Sequence, residues 1–259
     1  MLLFSDLDGT LIDEHQQLSH INRQKLHQLQ DKGHQIAICT GRNILEMIPT
    51  IEMLDLPFDY LVLNNGAHIL NKNLETLYEK VIDKNIGIDI LNHTITYQHM
   101  WSYFSDGYIN LAYKDGVTYD HAIIGQPPID TNYQEAYQNV DHYQIICFNQ
   151  DNHQIDESQI CYDYVVNHYS EYIEAYFNTY FVDIVPKGCS KGSGMKELLK
   201  ILNYHDDTYA IGDSYNDISM LQQATYGYTF NHVDKDIQKH AYKTVHKFYE
   251  VIDDMLGGI

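Results

Sequence analysis

Leu2-Leu3-Phe4-Ser5-Asp6-Leu7-Asp8-Gly9-Thr10-Leu11 opens the chain as an apolar run that breaks into two carboxylates and a glycine. The run has the length and composition of a buried strand, and Gly9 supplies the turn that ends it. Residues i and i+2 of an extended segment share a face, so Asp6 and Asp8 can both address one site at the strand's C-terminal end. Like charges held that close repel, and a bound cation relieves the repulsion. A strand followed by a plain Asx or glycine turn fits the same letters. The choice rests on what the rest of the chain brings to that strand end.

From Leu18 to Asp83 helix and strand signals alternate, as in a parallel sheet with crossover helices. Ser19 is a candidate N-cap, Leu18, Ile21, Leu26 and Leu29 make an imperfect apolar stripe, and Gly33 is the stop. Gln35-Ile36-Ala37-Ile38-Cys39 then reads as a buried strand ending in Thr40-Gly41-Arg42, ahead of a helical pattern with Ile44, Met47, Ile48, Ile51 and Leu54. A hydroxyl, a bare backbone and a cation at a strand end can hold an oxyanion, though Thr-Gly also occurs in ordinary loops. Tyr60-Leu61-Val62-Leu63 reads as a third strand. It leads into Asn64-Asn65-Gly66-Ala67, and Asn71-Lys72-Asn73 resembles a hairpin turn.

The composition shifts between about Lys84 and Asp183. This stretch holds two lysines, Lys84 and Lys114, no arginine, and more than half of the 23 tyrosines. It is expected to be a second domain of α+β class. Strand signals lie at Tyr108–Tyr113, Tyr143–Phe148 and Tyr180–Val185, and helix signals around Asp89–His99 and Ser158–His168. The histidines from His93 to His168 show no pair at convincing ligand spacing and read as surface or core residues.

After Pro186 the alternating pattern resumes. Lys191 falls near the N-terminus of an amphipathic helix carrying Met195, Leu198, Leu199 and Leu202. The helix dipole does not favour a lysine there; an anion shared with it supplies a reason, and a solvated lysine is the plain alternative. The strand Thr208-Tyr209-Ala210-Ile211 ends in Gly212-Asp213-Ser214-Tyr215-Asn216-Asp217, followed by a short helix with Ile218, Met220 and Leu221. Strand C-termini form the ligand crevice of an open α/β sheet, so the ends after Phe4, Ile38 and Ile211 can converge despite their distance in sequence. Carboxylates there can hold Mg²⁺, while Thr40, Lys191 and Asn216 can cradle a phosphate.

The formal net charge of −20 argues against nucleic acid or an anionic membrane as a partner, because phosphate backbones are held by clustered Lys and Arg. The N-terminal apolar run is interrupted by Asp6 and Asp8, with no basic residue before it, and no later run reaches membrane-spanning length. A cytoplasmic location is expected. Cys39, Cys147, Cys161 and Cys189 lie far apart, which suits reduced, mostly buried thiols better than a zinc site or a disulfide framework. The oligomeric state is not legible.

Asp6-Leu7-Asp8-Gly9-Thr10-Leu11, Thr40-Gly41-Arg42, Lys191 and Gly212-Asp213-Ser214-Tyr215-Asn216-Asp217 resemble, in order, the four motifs of the haloacid dehalogenase superfamily. The insert after the second motif, the Asn64-Asn65-Gly66-Ala67 segment and the re-entry at Pro186 to Gly192 resemble its Cof-type phosphatases, subclass IIB, with a C2-type cap. The resemblance implies an α/β protein: a Rossmann-like, doubly wound parallel-sheet core at 1–83 and 185–259, with an inserted α+β cap at 84–184. It also implies a Mg²⁺-dependent phosphatase acting on a small phosphorylated metabolite through an aspartyl phosphate, with Asp6 as nucleophile and Asp8 as acid and base. The Asp6 side chain, the Asp8 carbonyl and the Asp213 side chain would hold the metal. Leu7, Thr40, Gly41, Lys191 and Asn216 would bind phosphate, with Asp217 and Arg42 in support. A phosphomutase or phosphotransferase of the same superfamily is the alternative among enzymes, and a non-catalytic phosphate-ligand binder the alternative outside them. Tyr228-Thr229-Phe230-Asn231-His232-Val233 departs from the family pattern. The arginine-free insert, with Trp101 and its tyrosines, suits the body of a sugar monophosphate better than a second phosphate, although most of these aromatics are expected in the insert's own core.

Overall fold

The structure, a computed structural model, describes residues 1–117, 130, 132–151, 154–178 and 180–257. His121 and His153, two of the histidines read above, lie outside them. The chain forms two compact units, one of Met1–Gly41, Ile51–Glu79 and Ser190–Ile259, the other of Arg42–Thr50 and Lys80–Cys189.

The chain begins with β1 (Leu2–Asp6), α1 (His20–Asp31), β2 (Gln35–Cys39), α2 (Ile44–Leu54), β3 (Tyr60–Leu63), β4 (His68–Asn71) and β5 (Thr76–Glu79). It continues through β6 (Ile82–Asp83), α3 (Lys84–Thr94), β7 (Met100–Ser105), β8 (Asn110–Tyr113), α4 (Tyr133–Asn139), β9 (His142–Tyr143), β10 (Ile145–Gln150), α5 (Asp156–Tyr169), β11 (Ile173–Asn178) and β12 (Phe181–Pro186). It closes with α6 (Lys191–Ile201), β13 (Thr208–Ile211), α7 (Ile218–Gln223), β14 (Tyr226–Phe230), α8 (Lys235–Gln238), β15 (Lys243–Val245) and α9 (Tyr249–Gly257).

The first unit is built on an eight-stranded sheet of order β15-β14-β13-β1-β2-β3-β4-β5. Strand β1 runs parallel to both neighbours, pairing Leu3 with Ile36 of β2 and with Tyr209 of β13. From β1 the chain winds outward through β2 and β3, then returns to lay β13 on the other flank of β1. That reversal leaves a crevice at the C-terminal ends of β1 and β13, where Asp6 and the loop after Ile211 emerge. Both strands are buried along their whole length, which is why they read as continuous apolar runs rather than alternating ones. Leu2 and Phe4 pack with Ala37, Ala210, Met195 of α6 and Met220 of α7 on one face, while α1 lies against β2 and α9. The sheet ends in the antiparallel pairs β3–β4 and β4–β5, the second closing around the Asn71–Asn73 turn.

The second unit carries an antiparallel sheet of order β11-β12-β10-β7-β8 and a separate β6–β9 ribbon. Its tyrosines largely build its own core. Tyr133, Tyr137 and Tyr143 are fully buried, and the Phe104 ring meets Tyr133 edge-on at 5.3 Å and Tyr143 at 5.7 Å. Lys114 pairs with Asp151, which also accepts the Trp101 indole N–H at 2.9 Å.

Several boundaries differ from the sequence reading. The helix expected around Asp89–His99 is α3, because the Asp83 side chain accepts the Asn85 N–H and caps the helix a turn and a half earlier. Strand β7 is weakly marked in the sequence: Met100, Ser102 and Phe104 alternate inward, but the buried polar Ser102 weakens the apolar signal. Strand β8 starts at Asn110 rather than Tyr108, since Asp106 accepts the N–H groups of Tyr108 and Ile109 and holds them in a turn. Strand β14, rich in tyrosine and glycine, also carried no clear signal. Cys39, Cys161 and Cys189 are buried free thiols and Cys147 is half-buried. No helix among the described residues is long and apolar enough to cross a membrane.

Candidate active site

The site lies in the first unit and begins where β1 stops. Asp6, the last strand residue, is only 4 % exposed, whereas Asp8 stands in solvent beyond it. The turn between them closes on itself: Leu11 and Ile12 donate their N–H groups to the Leu7 carbonyl, and Gly9 donates to Ile12. The turn carries Thr10 back into the fold, where its hydroxyl lies 3.2 Å from Asp213 Oδ1. Gln16 approaches Asp8 Oδ1 at 3.2 Å through its amide.

Lys191 is the first residue of α6 and is 2 % exposed. Ser190 caps the helix in a reciprocal box with Ser193. The helix start fits tightly against the turn that follows β3, because Gly66 sits at φ 95° and a side chain there would overlap the Ser190 carbonyl. So placed, Lys191 Nζ reaches Asp6 Oδ1 at 2.6 Å and Asp217 Oδ1 at 2.7 Å. The other Asp217 oxygen accepts the N–H groups of Asp213 at 3.0 Å and Ser214 at 2.9 Å. Gly212 makes room for it: a Cβ at that position would strike the Asp217 carboxyl group.

Asp213 has hydroxyl donors on both flanks, Thr10 and its own neighbour Ser214 at 3.1 Å. Asn216 donates to Asn65 Oδ1 at 3.1 Å, and the Asn65 N–H in turn donates to the Thr40 carbonyl at 3.1 Å. Buried Thr40, at the end of β2, is thereby tied to the loop after β13. Gly41 follows it in the same unit, and Arg42 belongs to the second unit, where its Nη1 lies 2.9 Å from the Thr50 hydroxyl. The fold thus gathers Asp6, Thr40, Lys191, Asp213, Asn216 and Asp217 at one end of the sheet. Thr10, Asn65 and Ser214 join them and were not singled out in the sequence. All three stand inside quoted segments, Thr10 and Ser214 in the acidic motifs and Asn65 in Asn64-Asn65-Gly66-Ala67, which is the one signal that could have found them.

Three carboxylates crowd one ammonium here. Burial pushes the Asp6 carboxyl well above the usual carboxylate range; Lys191 opposes this, and Asp217 and Asp213 push it further up. Asp213 is raised as well, by burial and then by Asp217, with Ser214, Lys191 and Thr10 opposing. Burial alone would lower the Lys191 ammonium, but the charges and hydrogen bonds of Asp217 and Asp6 outweigh it and hold the lysine above its ordinary value. A divalent cation would relieve the crowding, and the donor set fits one. Carboxylate oxygens of Asp6, Asp213 and Asp217 lie within 4.8 Å of one another, and buried Asp6 Oδ2 has no hydrogen-bond partner among the described residues. Both Asp217 oxygens are already engaged, so Asp6 and Asp213 are the side chains with capacity to spare.

A family model of haloacid dehalogenase-like hydrolases matches residues 3–250. The chain belongs to that family. Within it, this hydrolase is 24% identical over 245 residues to the putative phosphatase YkrA of Bacillus subtilis, covering 93% of this chain and 90% of the relative. Its fold matches the crystal structure of a haloacid dehalogenase-like hydrolase from Bacteroides thetaiotaomicron with a TM-score of 0.83 at 22% identity, over 98% of both chains. It also matches the structure of a subclass IIB sugar phosphatase with a TM-score of 0.74 at 20% identity, over 98% or more of each chain.

Proposed function

We propose that this hydrolase is a Mg²⁺-dependent phosphatase that releases inorganic phosphate from a small phosphorylated metabolite, a sugar monophosphate in particular, through a phosphoryl group carried on Asp6. The observation that carries the reading is the state of Asp6: one oxygen is anchored by Lys191 and the other is buried with no partner among the described residues, beside Asp213. A buried carboxylate held this way and left with an unused oxygen is costly unless a ligand completes it.

The Asp6 carboxylate attacks phosphorus in line, forming an Asp6–phosphorus bond as the ester P–O bond breaks. Asp8, exposed and two residues on, gives its proton to the departing alkoxide oxygen. A water then attacks the same phosphorus, Asp8 takes a proton from it, and the Asp6–phosphorus bond breaks to restore the carboxylate and free phosphate. Lys191, Thr40, Asn216 and the backbone at Leu7 and Gly41 hold the phosphoryl oxygens, and Lys191 keeps its charge throughout because Asp217 stays with it. The Asp6 and Asp213 side chains and the Asp8 carbonyl would hold Mg²⁺, which when bound neutralises phosphoryl oxygen charge and favours ionised Asp6. Asp217 positions Lys191, and Arg42 has a supporting role in the second unit. Residues 84–184 serve as the cap domain inserted into the 1–83 and 185–259 core, and the protein works in the cytoplasm.

The test is hydrolysis of p-nitrophenyl phosphate with Mg²⁺ by the wild type and by Asp6→Asn. Turnover by the wild type and loss of at least about a thousandfold in the variant, with its circular dichroism and melting intact, are expected. Wild-type rates in Asp6→Asn would remove the covalent step.

A further inference from the structure

An open pocket of about 520 Å³ adjoins the site in the first unit, with Asp8, Asp13, Glu14, His15, Asp213 and His232 in its wall. We propose that this pocket receives the body of the substrate, and that it selects phosphomonoesters whose body carries an amine or only hydroxyls over those carrying a carboxylate or a second phosphate. The inference rests on the reading of Asp8 as the acid that protonates the leaving oxygen. That role requires the ester oxygen to touch Asp8, so the atoms bonded to it begin at Asp8 and must fill space that Asp8 borders. A volume of about 520 Å³ lies in the range of small-ligand sites.

The charge of the wall then decides what it accepts. Asp8 and Asp213 are committed to the reaction, but Asp13 and Glu14 are carboxylates with no part in it, and among the described residues neither lysine nor arginine lines the pocket. The loop that carries them is ordered by its own contacts: Asp13 Oδ1 accepts the N–H groups of His15 and Gln17, each at 2.9 Å. Glu14 Oε1 lies 3.7 Å from His15 Nε2. His232, also in the wall, stacks on Phe230 with ring centroids 5.2 Å apart, and its exposed imidazole can hydrogen-bond. An anionic body entering this space meets the like charges of Asp13 and Glu14, with no lysine or arginine to pair with among the described residues. An ammonium or a set of hydroxyls meets acceptors.

The purified protein, with Mg²⁺, is assayed on three hexose-derived monophosphates: glucosamine 6-phosphate, glucose 6-phosphate and 6-phosphogluconate, with p-nitrophenyl phosphate alongside. The expected order of kcat/KM is amine, then neutral, then carboxylate, with about tenfold between the extremes, which is about 1.4 kcal/mol of differential transition-state binding. Glu14→Lys should shrink that ratio severalfold. Asp206→Lys makes the same charge change on the exposed loop before β13, at the far end of the strand, and should leave the ratio in place. Equal kcat/KM for the extremes, or equal effects of the two variants, would overturn the inference while p-nitrophenyl phosphate turnover still upheld the phosphatase. No turnover of any ester would overturn both.

Discussion

Asp217→Asn probes the part of the site to which the proposed mechanism gives no chemical step. The side chain is fully buried and makes three hydrogen bonds, one to Lys191 Nζ at 2.7 Å and two from the backbone N–H groups of Asp213 and Ser214. Asparagine keeps the volume that Gly212 makes room for but exchanges one oxygen for an NH₂. If that NH₂ faces Lys191, a charged hydrogen bond becomes a donor against an ammonium; if it faces the loop, two N–H groups lose their acceptor. A hydrogen bond to a charged group contributes about 1.5–3 kcal/mol, and a buried unsatisfied donor costs about 1–3 kcal/mol. Either arrangement therefore comes to about 2–4 kcal/mol, or a fall in Tm of about 4–16 °C for a chain of this size. Scanning calorimetry of the metal-free protein measures it directly. Asp217→Ala loses all three bonds and should fall by about 4–8 kcal/mol, comparable with the whole stability of many domains. Lys191, left with Asp6 as its one carboxylate partner here, should also lose its fixed position, so kcat on p-nitrophenyl phosphate should drop more than KM rises. A Tm for Asp217→Asn within about 1 °C of wild type would refute the reasoning, because the anchor of Lys191 would then lie elsewhere.

Three further outcomes follow from the same geometry. EDTA should silence hydrolysis and Mg²⁺ restore it, whereas Ca²⁺, with its larger and more variable coordination, should not; full activity in EDTA would take the metal out of the mechanism. Thr10→Val removes the hydroxyl 3.2 Å from Asp213 Oδ1, so the Mg²⁺ concentration for half-maximal rate should rise about tenfold with little change at saturation; an unmoved half-saturation point counts against Asp213 as a ligand. Burial raises the Glu46 carboxyl, against opposition from the Asn43 N–H, the Asn110 amide and Arg42, and Asp183 raises it further. A carboxyl raised on folding favours the folded state below its unfolded value of about 4.3, and that favour is lost as pH rises through the folded value. The Tm advantage of Glu46→Gln over wild type should therefore grow from about pH 4 toward neutrality, and a pH-independent difference would show that Glu46 is not desolvated.

Elements with uniform burial or chemically marked ends are legible in the amino-acid letters alone. Leu2–Asp6, Gln35–Cys39 and Thr208–Ile211 are legible because parallel strands covered on both faces need unbroken apolar runs. Ser19 marks the start of α1 because its hydroxyl accepts the Asn22 N–H, a local bond that needs no tertiary partner. The motif letters Asp6, Asp8, Thr40, Lys191 and Asp213 could likewise be picked out, since carboxylates, hydroxyls and a lysine at strand ends and a helix start are unusual where apolar residues would pack. Which of these groups touch depends on the fold. Lys191 and Asp6 are 185 residues apart, and Thr10 and Asp213 are 203 apart. Nothing in local propensity distinguishes a lysine buried between two carboxylates from one in solvent. The assignment of Asp217 as the anchor of Lys191, with both oxygens used, depends on the return of β13 to the flank of β1 and on the space left by Gly212. Met100–Ser105 and Tyr226–Phe230 stayed hidden for the same reason: serine, tyrosine and glycine become strand residues when neighbouring strands and packed rings supply the partners their own side chains do not announce.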